Sequence, residues 1–222
     1  MAKIIEVKYK SPEWYELRKT HIGGSDAACI LGYDKYRTRL ALWNEMTGKT
    51  VVKHAPTALM EYGTKAEEPL AKLFALDFPQ YEVEAPKDIV FVNDTTEYQT
   101  EYQMASLDLL LIDKATREIG FGEIKTVNDI GGKLRKEWAM NKIPQKYYCQ
   151  ILHYFAVKEE FKFAVIMAHI KSKDGVMPYA ETIYRTVRRE EVLLDIEYLK
   201  QKENEFMTCV NTRTQPSEII NF

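Results

Sequence analysis

The sequence predicts an α+β fold, or a mixed α/β core in three layers. The first observation is a series of helical patterns that fills the chain before residue 80. The second is a change to strand-like segments in the middle of the chain, and the third is a closing helical pattern after residue 189. A length of 222 residues suits one domain, so we expect a single domain over residues 1–222.

Four helices are predicted in the N-terminal part of the chain. The first follows Ser11-Pro12, because serine is a favoured N-cap and proline is favoured at the first helical position. The longest runs from Thr57 to about Phe78, and Gly63 and Pro69 predict a bend or break within it. The other two are Ala27–Leu31, which is capped by Gly23-Gly24-Ser25-Asp26, and Arg39–Thr47, which ends near Gly48.

The rest of the chain predicts strands in two groups, with a helix between them that Pro144 opens and that reaches Phe155. A last helix is predicted over Glu190–Cys209. Turns are expected at Asn93-Asp94, Lys114–Arg117 and Lys173–Gly175. The predicted strands are Tyr81–Val83, Asp88–Val92, Met104–Asp113, Ile119–Val127, Phe161–Ile170 and Tyr179–Val187.

Composition limits the classes of function. The formal net charge of −2 gives no overall attraction to nucleic acid or to an anionic membrane, so a nucleic-acid site needs a local basic surface or bound cations. Cys29, Cys149 and Cys209 are far apart, which argues against zinc and iron–sulfur sites and fits a reducing cytosol. No signal peptide and no stretch of membrane-spanning length is present, so we expect a soluble cytosolic protein with no membrane partner.

A predicted hairpin brings two carboxylates and an amine together. If Lys114–Arg117 form the turn, Asp113 pairs with Glu118 and, in the same register, Asp108 pairs with Glu123. Residues of a strand alternate between its two faces, so Glu123 and Lys125 both point to the face that carries Asp108. The alternative interpretation is a pair of ordinary solvent-facing acids, although the apolar run that follows Asp108 favours a functional role.

The chemistry of this hairpin suits a divalent cation. Two opposed carboxylates destabilise a hairpin unless a cation lies between them, and hard oxygen ligands suit Mg²⁺ or Mn²⁺. The carbonyl of Ile124 is a further candidate ligand, and Lys125 is placed to orient or deprotonate a water. Such a site predicts phosphodiester hydrolysis.

Supporting residues occur elsewhere in the sequence. Helical spacing places Glu67 on the face of Leu70 and Phe74, where a metal is one candidate partner and a plain surface position is the alternative. Arg18, with the helix start at Gly23-Gly24-Ser25, suits an anion, although a simple connection between helices has the same pattern.

Two further segments have both a functional and a structural interpretation. Gln150 could position a water or phosphate or could lie at the margin of a core helix, whereas His153 is expected to be structural. Trp138 is either a wedge at a duplex end or a core residue. A basic tract suits the DNA backbone or a solvated loop, and it contains Lys133, Arg135, Lys136, Lys142 and Lys146.

The ordered set of motifs resembles the YqaJ-type viral recombinase family, which is similar to phage lambda exonuclease and belongs to the PD-(D/E)XK nucleases. The family signature often has a proline where Leu107 stands, which affects local backbone shape only. The resemblance runs from about Ser11 to Val157, and residues 158–222 are interpreted as a sheet edge and a C-terminal helix. Its motifs are Trp14, Arg18, Ile22–Asp26, Gly63–Glu67, Ser106–Asp108, Glu123–Lys125 and Gln150.

The resemblance implies a three-layer restriction-endonuclease-like core with a central mixed β-sheet flanked by helices. It also implies two Mg²⁺ ions, for which Mn²⁺ would substitute. Asp108, Glu123 and the Ile124 carbonyl would hold metal, Glu67 would serve the second ion, and Lys125 and Gln150 would manage the attacking water. Arg18 and Ser25 would receive a 5′-phosphate, with Trp14 supporting that region.

The implied function is digestion of linear double-stranded DNA from its 5′ ends, which leaves 3′ single-stranded tails for phage-type recombination by strand annealing. The implied partners are DNA ends, a single-strand annealing protein and further copies of the chain in a ring, in the cytosol of a bacterium that carries the phage or prophage. The alternatives are an endonuclease that uses the same hairpin and a DNA-end-binding protein without catalysis.

Overall fold

The computed structural model describes residues 2–50, 57–93, 101–129, 133–172 and 179–217. These residues form seven α-helices and nine strands, with a 3-10 turn at Arg189–Glu191. No helix among them is long and apolar enough to cross a membrane. The helices are α1 (Pro12–Thr20), α2 (Gly24–Ile30), α3 (Arg39–Met46), α4 (Ala58–Asp77), α5 (Lys133–Glu137), α6 (Gln145–Val157) and α7 (Leu193–Asn211).

The described strands form two mixed sheets. The four-stranded sheet has the order β1-β4-β5-β2, and the five-stranded sheet has the order β3-β6-β7-β8-β9. Each contains one parallel pair, which is β2 with β5 in the first sheet and β7 with β8 in the second. The strands are β1 (Ala2–Glu6), β2 (Ile22–Gly23), β3 (Tyr81–Glu84), β4 (Ile89–Asn93), β5 (Gln103–Ala105), β6 (Leu109–Asp113), β7 (Ile119–Asp129), β8 (Phe161–Ser172) and β9 (Tyr179–Arg188).

Helices cover both faces of the five-stranded sheet. Alternate residues of β8 pack into two different clusters, which is the pattern of a strand buried on both sides. Phe163, Val165 and Met167 pack with Leu70 and Phe74 of α4. The intervening Ala164, Ile166 and Ala168 pack with Ile151 and Phe155 of α6 on the other face. A helix, a sheet and a helix therefore lie in succession, as the strand and helix pattern predicts.

The predicted strand Met104–Asp113 is wrong as a single element. It is two strands, β5 and β6, and they belong to different sheets. The intervening Ser106–Asp108 carries the chain from one sheet to the other, and Leu107 turns into the core between them. The Tyr154 hydroxyl donates to the Ser106 carbonyl at 2.8 Å, which fixes this crossing. A single central sheet is therefore not what the sequence forms.

Other differences are local. The predicted break near Gly63 and Pro69 is absent, since α4 continues from Ala58 to Asp77. Burial of Leu70 and Phe74 on the sheet stabilises the helix across the proline. The strands β1 and β2 were not predicted. Asp94 and the predicted turn at 173–175 lie outside the described residues.

Candidate active site

One cleft of about 900 Å³ gathers most of the predicted site residues. Its walls come from α1, from the start of α2, from the middle of α4, from the segment before β6, and from β7 and α6. These elements are far apart in the chain, so their meeting is a product of the tertiary fold. The predicted residues that line the cleft are Trp14, Arg18, Ser25, Glu67, Asp108, Glu123, Ile124, Lys125 and Gln150.

The predicted hairpin register is confirmed. Leu109 pairs with Gly122, and the backbone N–H of Asp113 donates to the Glu118 carbonyl at 2.9 Å. The same register places Asp108, the residue before β6, opposite Glu123 on β7. Asp108 is held there because its Oδ2 accepts a hydrogen bond from the Ile124 backbone N–H at 2.7 Å. The two carboxylates therefore face one cleft from neighbouring segments.

Lys125 and Gln150 are joined to Glu123 in one hydrogen-bonded network. Lys125 Nζ lies 2.5 Å from Glu123 Oε1 and 3.0 Å from Gln150 Oε1. Gln150 Nε2 donates to the same Glu123 oxygen at 2.7 Å and lies 2.9 Å from the Tyr154 hydroxyl. These contacts hold the side chain of Gln150 in one orientation. Tyr154 is a supporting residue that was not identified from the sequence.

The acidic residues strongly influence one another. Burial, and then the charge of Asp108, raise the pKa of Glu123 to about 8. Burial also raises the pKa of Asp108 above its ordinary value. Burial opposes the charge of Lys125, but Glu123 and Asp108 outweigh it and raise the pKa of that amine. Lys125 thus keeps its charge beside the two buried acids.

Glu67 reaches the cleft from α4. The buried stripe of this helix is Ala66, Leu70 and Phe74, so Glu67 does not lie on the core-facing stripe as predicted but exposed at its margin. Partial burial of its carboxylate in the cleft, and then the charge of Asp108, raise its pKa to about 7. This influence of Asp108 places Glu67 on the same charged patch.

The donor set fits a divalent cation. Glu123 Oε2 is buried and has no hydrogen-bond partner in the described part of the chain. A buried carboxylate oxygen without a partner is costly, and a bound cation removes that cost. Within the described ranges, no three His, Cys, Asp or Glu side chains gather as a preformed metal cage. Asp108 and Glu123 are the paired acids of the hairpin, and Glu67 reaches the same cleft from α4.

Asp26 holds Arg18 in place, whereas the sequence pattern indicates Asp26 only as part of a helix cap. Asp26 is fully buried and forms ion pairs with both Arg18 and Arg37. Its Oδ2 also accepts the Gly23 backbone N–H at 2.8 Å. Burial alone would raise the pKa of Asp26, but Arg18 and Arg37 hold it below its ordinary value. Nothing in the local spacing of residues 18, 26 and 37 indicates this pairing.

The two glycines at the start of α2 allow close packing. A Cβ atom on Gly23 would clash with Arg18 Nη1, and one on Gly24 would lie 2.7 Å from Gln150 Cγ. Because glycine has no Cβ, the side chains of Arg18 and Gln150 can pack directly against the backbone at these two positions. Ser25, the next residue, is exposed and faces the cleft.

Trp14 has a packing role as well as a place on the cleft wall. Its ring makes edge contacts with Tyr9 at 5.1 Å and with Tyr15 at 5.2 Å between centroids. The Arg18 guanidinium lies 5.7 Å from the Trp14 centroid. Trp14 thereby packs beside Arg18.

The basic tract is not brought into the cleft. Arg135 and Lys136 are exposed on α5, and neither lines the cleft; the side chain of Lys133 lies outside the described residues. Arg135 Nε lies 2.8 Å from Glu181 Oε2. Trp138 is only 1% exposed, so it is a core residue and not a wedge.

His153 is structural, as expected. Its Nδ1 lies 2.6 Å from Glu203 Oε1 on α7, and its Nε2 lies 2.9 Å from the Met104 carbonyl. Both neighbours are acceptors, which is the environment of a doubly protonated ring. This pair joins α6 to α7 behind the cleft.

Comparison with known proteins identifies relatives. The chain is 26% identical over 189 residues to an uncharacterised protein YqaJ of Bacillus subtilis (strain 168), covering 83% of this chain and 52% of that protein. The chain thus spans about half the length of this curated relative.

Solved structures show the same fold. The crystal structure of the alkaline exonuclease LHK-Exo from Laribacter hongkongensis has a TM-score of 0.55 and 15% identity, covering 92% of this chain and 94% of that one. LHK-Exo in complex with dAMP gives a TM-score of 0.55 and 15% identity, with coverage of 91% and 96%. At this identity the likeness concerns the fold.

A family model described as the YqaJ-like viral recombinase domain matches residues 13–160. The matched range contains Arg18, Asp108, Glu123, Lys125 and Gln150, all of which line the cleft. Since the match covers more than half of the chain, this protein belongs to the YqaJ-like viral recombinase domain family.

Proposed function

We propose that this protein is a metal-dependent exonuclease that digests linear double-stranded DNA in the 5′-to-3′ direction. The observation that carries the proposal is the single cleft in which Asp108, Glu123 and Lys125 lie with Arg18 and Ser25. The first three residues suit hydrolysis of a phosphodiester, and Arg18 and Ser25 suit a terminal phosphate. An enzyme whose substrate must occupy both groups of residues at once acts on DNA ends.

Asp108, Glu123 and the Ile124 carbonyl would hold Mg²⁺, and Glu67 would contribute to a second ion. The unpartnered Glu123 Oε2 and the mutual repulsion of the acids support this assignment. When bound, the ions would activate a water and neutralise charge on the phosphate, and Mn²⁺ would substitute for Mg²⁺. We propose a restriction-endonuclease-like, PD-(D/E)XK core with a single nuclease domain as the frame of this site.

Lys125 and Gln150 would position the attacking water. Gln150 accepts from Lys125 Nζ and donates to Glu123 Oε1, so the two side chains have a fixed relative orientation. Lys125 keeps its proton next to two carboxylates, which supports an orienting role for its ammonium. Fixed donors of this kind lower the cost of reorganisation in the transition state.

Arg18 and Ser25 would receive the 5′-phosphate at the DNA end. Asp26 holds Arg18 in place, so binding of the phosphate costs little side-chain entropy. The exposed Ser25 hydroxyl and the α2 N-terminus supply further donors. Trp14 would support this end of the cleft, and the tract Lys133, Arg135 and Lys136 would contact the backbone farther along the duplex.

The 3′ single-stranded tails left by such digestion would serve phage-type homologous recombination with a single-strand annealing protein. We propose a homo-oligomeric ring in the cytosol of a bacterium that carries the phage or prophage. The family match and the fold shared with an alkaline exonuclease support this setting.

The first test is digestion of a linear duplex that carries a 5′-phosphate and a separate label on each strand end, with Mg²⁺ or with EDTA. We expect stepwise loss from the 5′ end in Mg²⁺, none in EDTA, and no cleavage of a covalently closed circle. Lys125→Ala should abolish the loss, whereas Lys202→Ala is the matched control, because Lys202 pairs with Glu205 on α7 and does not line the cleft.

Each alternative gives a different result. Cleavage of the closed circle, with full activity retained in Arg18→Ala, would identify an endonuclease instead. Retention of duplex ends in a gel shift without any metal-dependent product would identify an end-binding protein. Wild type should digest 5′-phosphate ends faster than 5′-hydroxyl ends, and Arg18→Ala should lose this preference. Only the exonuclease assignment predicts this pattern of digestion.

A further inference from the structure

Tyr9 lines the cleft that also holds the residues proposed for the terminal phosphate and the acidic residues. Tyr9 lines the cleft and makes an edge contact with Trp14, which in turn lies against Arg18. Burial, and then the charges of Glu67 and Asp108, raise the pKa of Tyr9, so the phenol is also within electrostatic reach of the acidic side. A terminal nucleotide bound across the cleft would lie beside this ring.

We propose that Tyr9 is a positioning residue against which the base of the terminal nucleotide stacks. The proposal rests on the proposed function, because it assumes that the cleft holds the nucleotide at a DNA end. It adds a contact to the base, whereas the residues assigned above contact phosphates and metal only.

Neighbouring residues hold both the backbone and the ring of Tyr9, and the residue stays partly exposed. Its backbone N–H donates to Asp88 Oδ1 at 2.8 Å, and its ring makes an edge contact with Trp14 at 5.1 Å between centroids. The residue is nevertheless 46% exposed. Lys10 Nζ lies 4.8 Å from the ring centroid, and Lys10 is itself exposed, so a base displaces this ammonium into water at little cost.

The other aromatic rings of the cleft are already engaged. Among the described lining residues these are Trp14 and Tyr154. Trp14 contacts Tyr9, Tyr15 and Arg18. The ring of Tyr154 is buried, and its hydroxyl contacts Gln150 and the Ser106 carbonyl. Tyr9 is thus the ring with a surface left for a ligand.

Stacking on an aromatic side chain is tolerant of sequence, since every base has a π-face, and loss of such a contact weakens binding by about tenfold. We therefore expect the contact to assist all four terminal nucleotides. An enzyme that digests any duplex needs this kind of contact, because it holds the end nucleotide without reading it.

The test is a calorimetric titration with dAMP and with 2-deoxyribose 5-phosphate, which lacks the base. We expect wild type to bind dAMP about tenfold more tightly than the sugar phosphate. Tyr9→Leu should remove this difference without weakening the sugar phosphate, whereas Tyr9→Phe should keep it. Tyr15→Leu is the matched control, because Tyr15 contacts the same Trp14 ring but does not line the cleft.

A second measurement needs no variant. A duplex with an abasic 5′-terminal nucleotide that keeps its phosphate should raise KM for wild type about tenfold and leave kcat nearly unchanged. Equal KM values for the abasic and intact ends would overturn the role of Tyr9. So would a folded Tyr9→Leu variant that keeps the wild-type ratio of affinities for dAMP and the sugar phosphate. In both cases metal-dependent digestion by wild type would still be observed. Failure of the proposed function would instead appear as wild type without any metal-dependent digestion.

Discussion

Gln150 Nε2 donates a hydrogen bond to Glu123 Oε1 at 2.7 Å, and Gln150 Oε1 accepts one from Lys125 at 3.0 Å. One amide therefore orients both the Glu123 carboxylate, which we propose as a metal ligand, and the ammonium beside it. Gln150→Leu keeps the size of the side chain and removes both contacts. We expect kcat to fall by about 10–100-fold, the usual effect of losing a residue that orients a metal ligand. Steady-state digestion with circular dichroism as a folding control measures this, and an unchanged kcat would contradict the role of Gln150.

Asp108→Asn separates activity from stability. The substitution removes repulsion between Asp108 and Glu123, so without metal the variant should have a Tm equal to or above that of wild type, although it should not digest DNA. Wild type should gain about 2.7 kcal/mol of unfolding free energy at a Mg²⁺ concentration about 100 times Kd, and the variant should gain much less. Thermal melts across a Mg²⁺ series measure both effects. A variant that Mg²⁺ stabilises as strongly as wild type would rule out Asp108 as a ligand.

Gly24→Ala tests the close packing of α2 on α6. The added Cβ would lie 2.6 Å from Tyr154 Cε1 and 2.7 Å from Gln150 Cγ, so we expect a loss of about 1–3 kcal/mol of stability from overpacking, and reduced kcat. Gly63→Ala is the matched control. Among the residues that the structure describes, its Cβ would meet only Thr126 Oγ1 at 3.4 Å, inside a helix where alanine is favoured. Urea unfolding compares them, and equal midpoints for the two variants would contradict the packing argument.

Asp26→Asn should destabilise the protein by about 3–5 kcal/mol, because Arg18 and Arg37 lose their buried partner. The pKa of Asp26 is lowered on folding, so its contribution is present above the unfolded value of 3.8 and is lost as pH falls through the lower folded pKa. Urea unfolding of both proteins from about pH 6 to about pH 2 checks this. The difference between wild type and variant should shrink at the acidic end, and a constant difference would contradict the linkage.

The pair His153–Glu203 predicts the opposite dependence on pH. Burial favours the neutral ring, but Glu203 outweighs it and raises the pKa of His153 above the ordinary value of 6.5. The pair therefore contributes its full stability below pH 6.5, the ordinary pKa of histidine. This contribution is lost as pH rises through the pKa of His153 in the folded protein. The loss amounts to about 1.4 kcal/mol for each pH unit between the unfolded and the folded pKa. Urea unfolding between about pH 6 and about pH 9 should show the loss in wild type and in the control His169→Gln. Glu67 and Glu123, whose pKa values burial also raises, contribute to the same fall in all three proteins. The loss in His153→Gln should therefore be smaller than in the other two, and an equal loss would assign all of it to other groups.

The hairpin could be predicted from sequence because its information is local. A turn of four residues fixes the register, and the register places Asp108 opposite Glu123. Residues whose partners are distant in sequence could not be placed in this way. Asp26 has the pattern of an ordinary N-terminal cap, and only the tertiary fold brings Arg37 to it.

A long strand-like run in the sequence also does not show where the chain passes from one sheet to another. The segment from Met104 to Asp113 is mostly apolar, so nothing in its pattern marks the crossing at Ser106–Asp108. Likewise, a run of basic residues does not tell which surface it occupies, and Arg135 pairs with Glu181 on β9 instead of facing the cleft.

The parallel pairing of β7 with β8 has a consequence for folding. Parallel neighbours need a crossover between them, and here that crossover contains α6, which carries Gln150. The strand that bears Glu123 and Lys125 and the helix that bears Gln150 therefore reach their relative positions only when this long-range crossover closes. Nuclease activity after dilution from denaturant should consequently return with the slow, non-local phase of refolding, after the local β6–β7 hairpin has formed. The proposed activity would therefore return only after the chain has completed this topology.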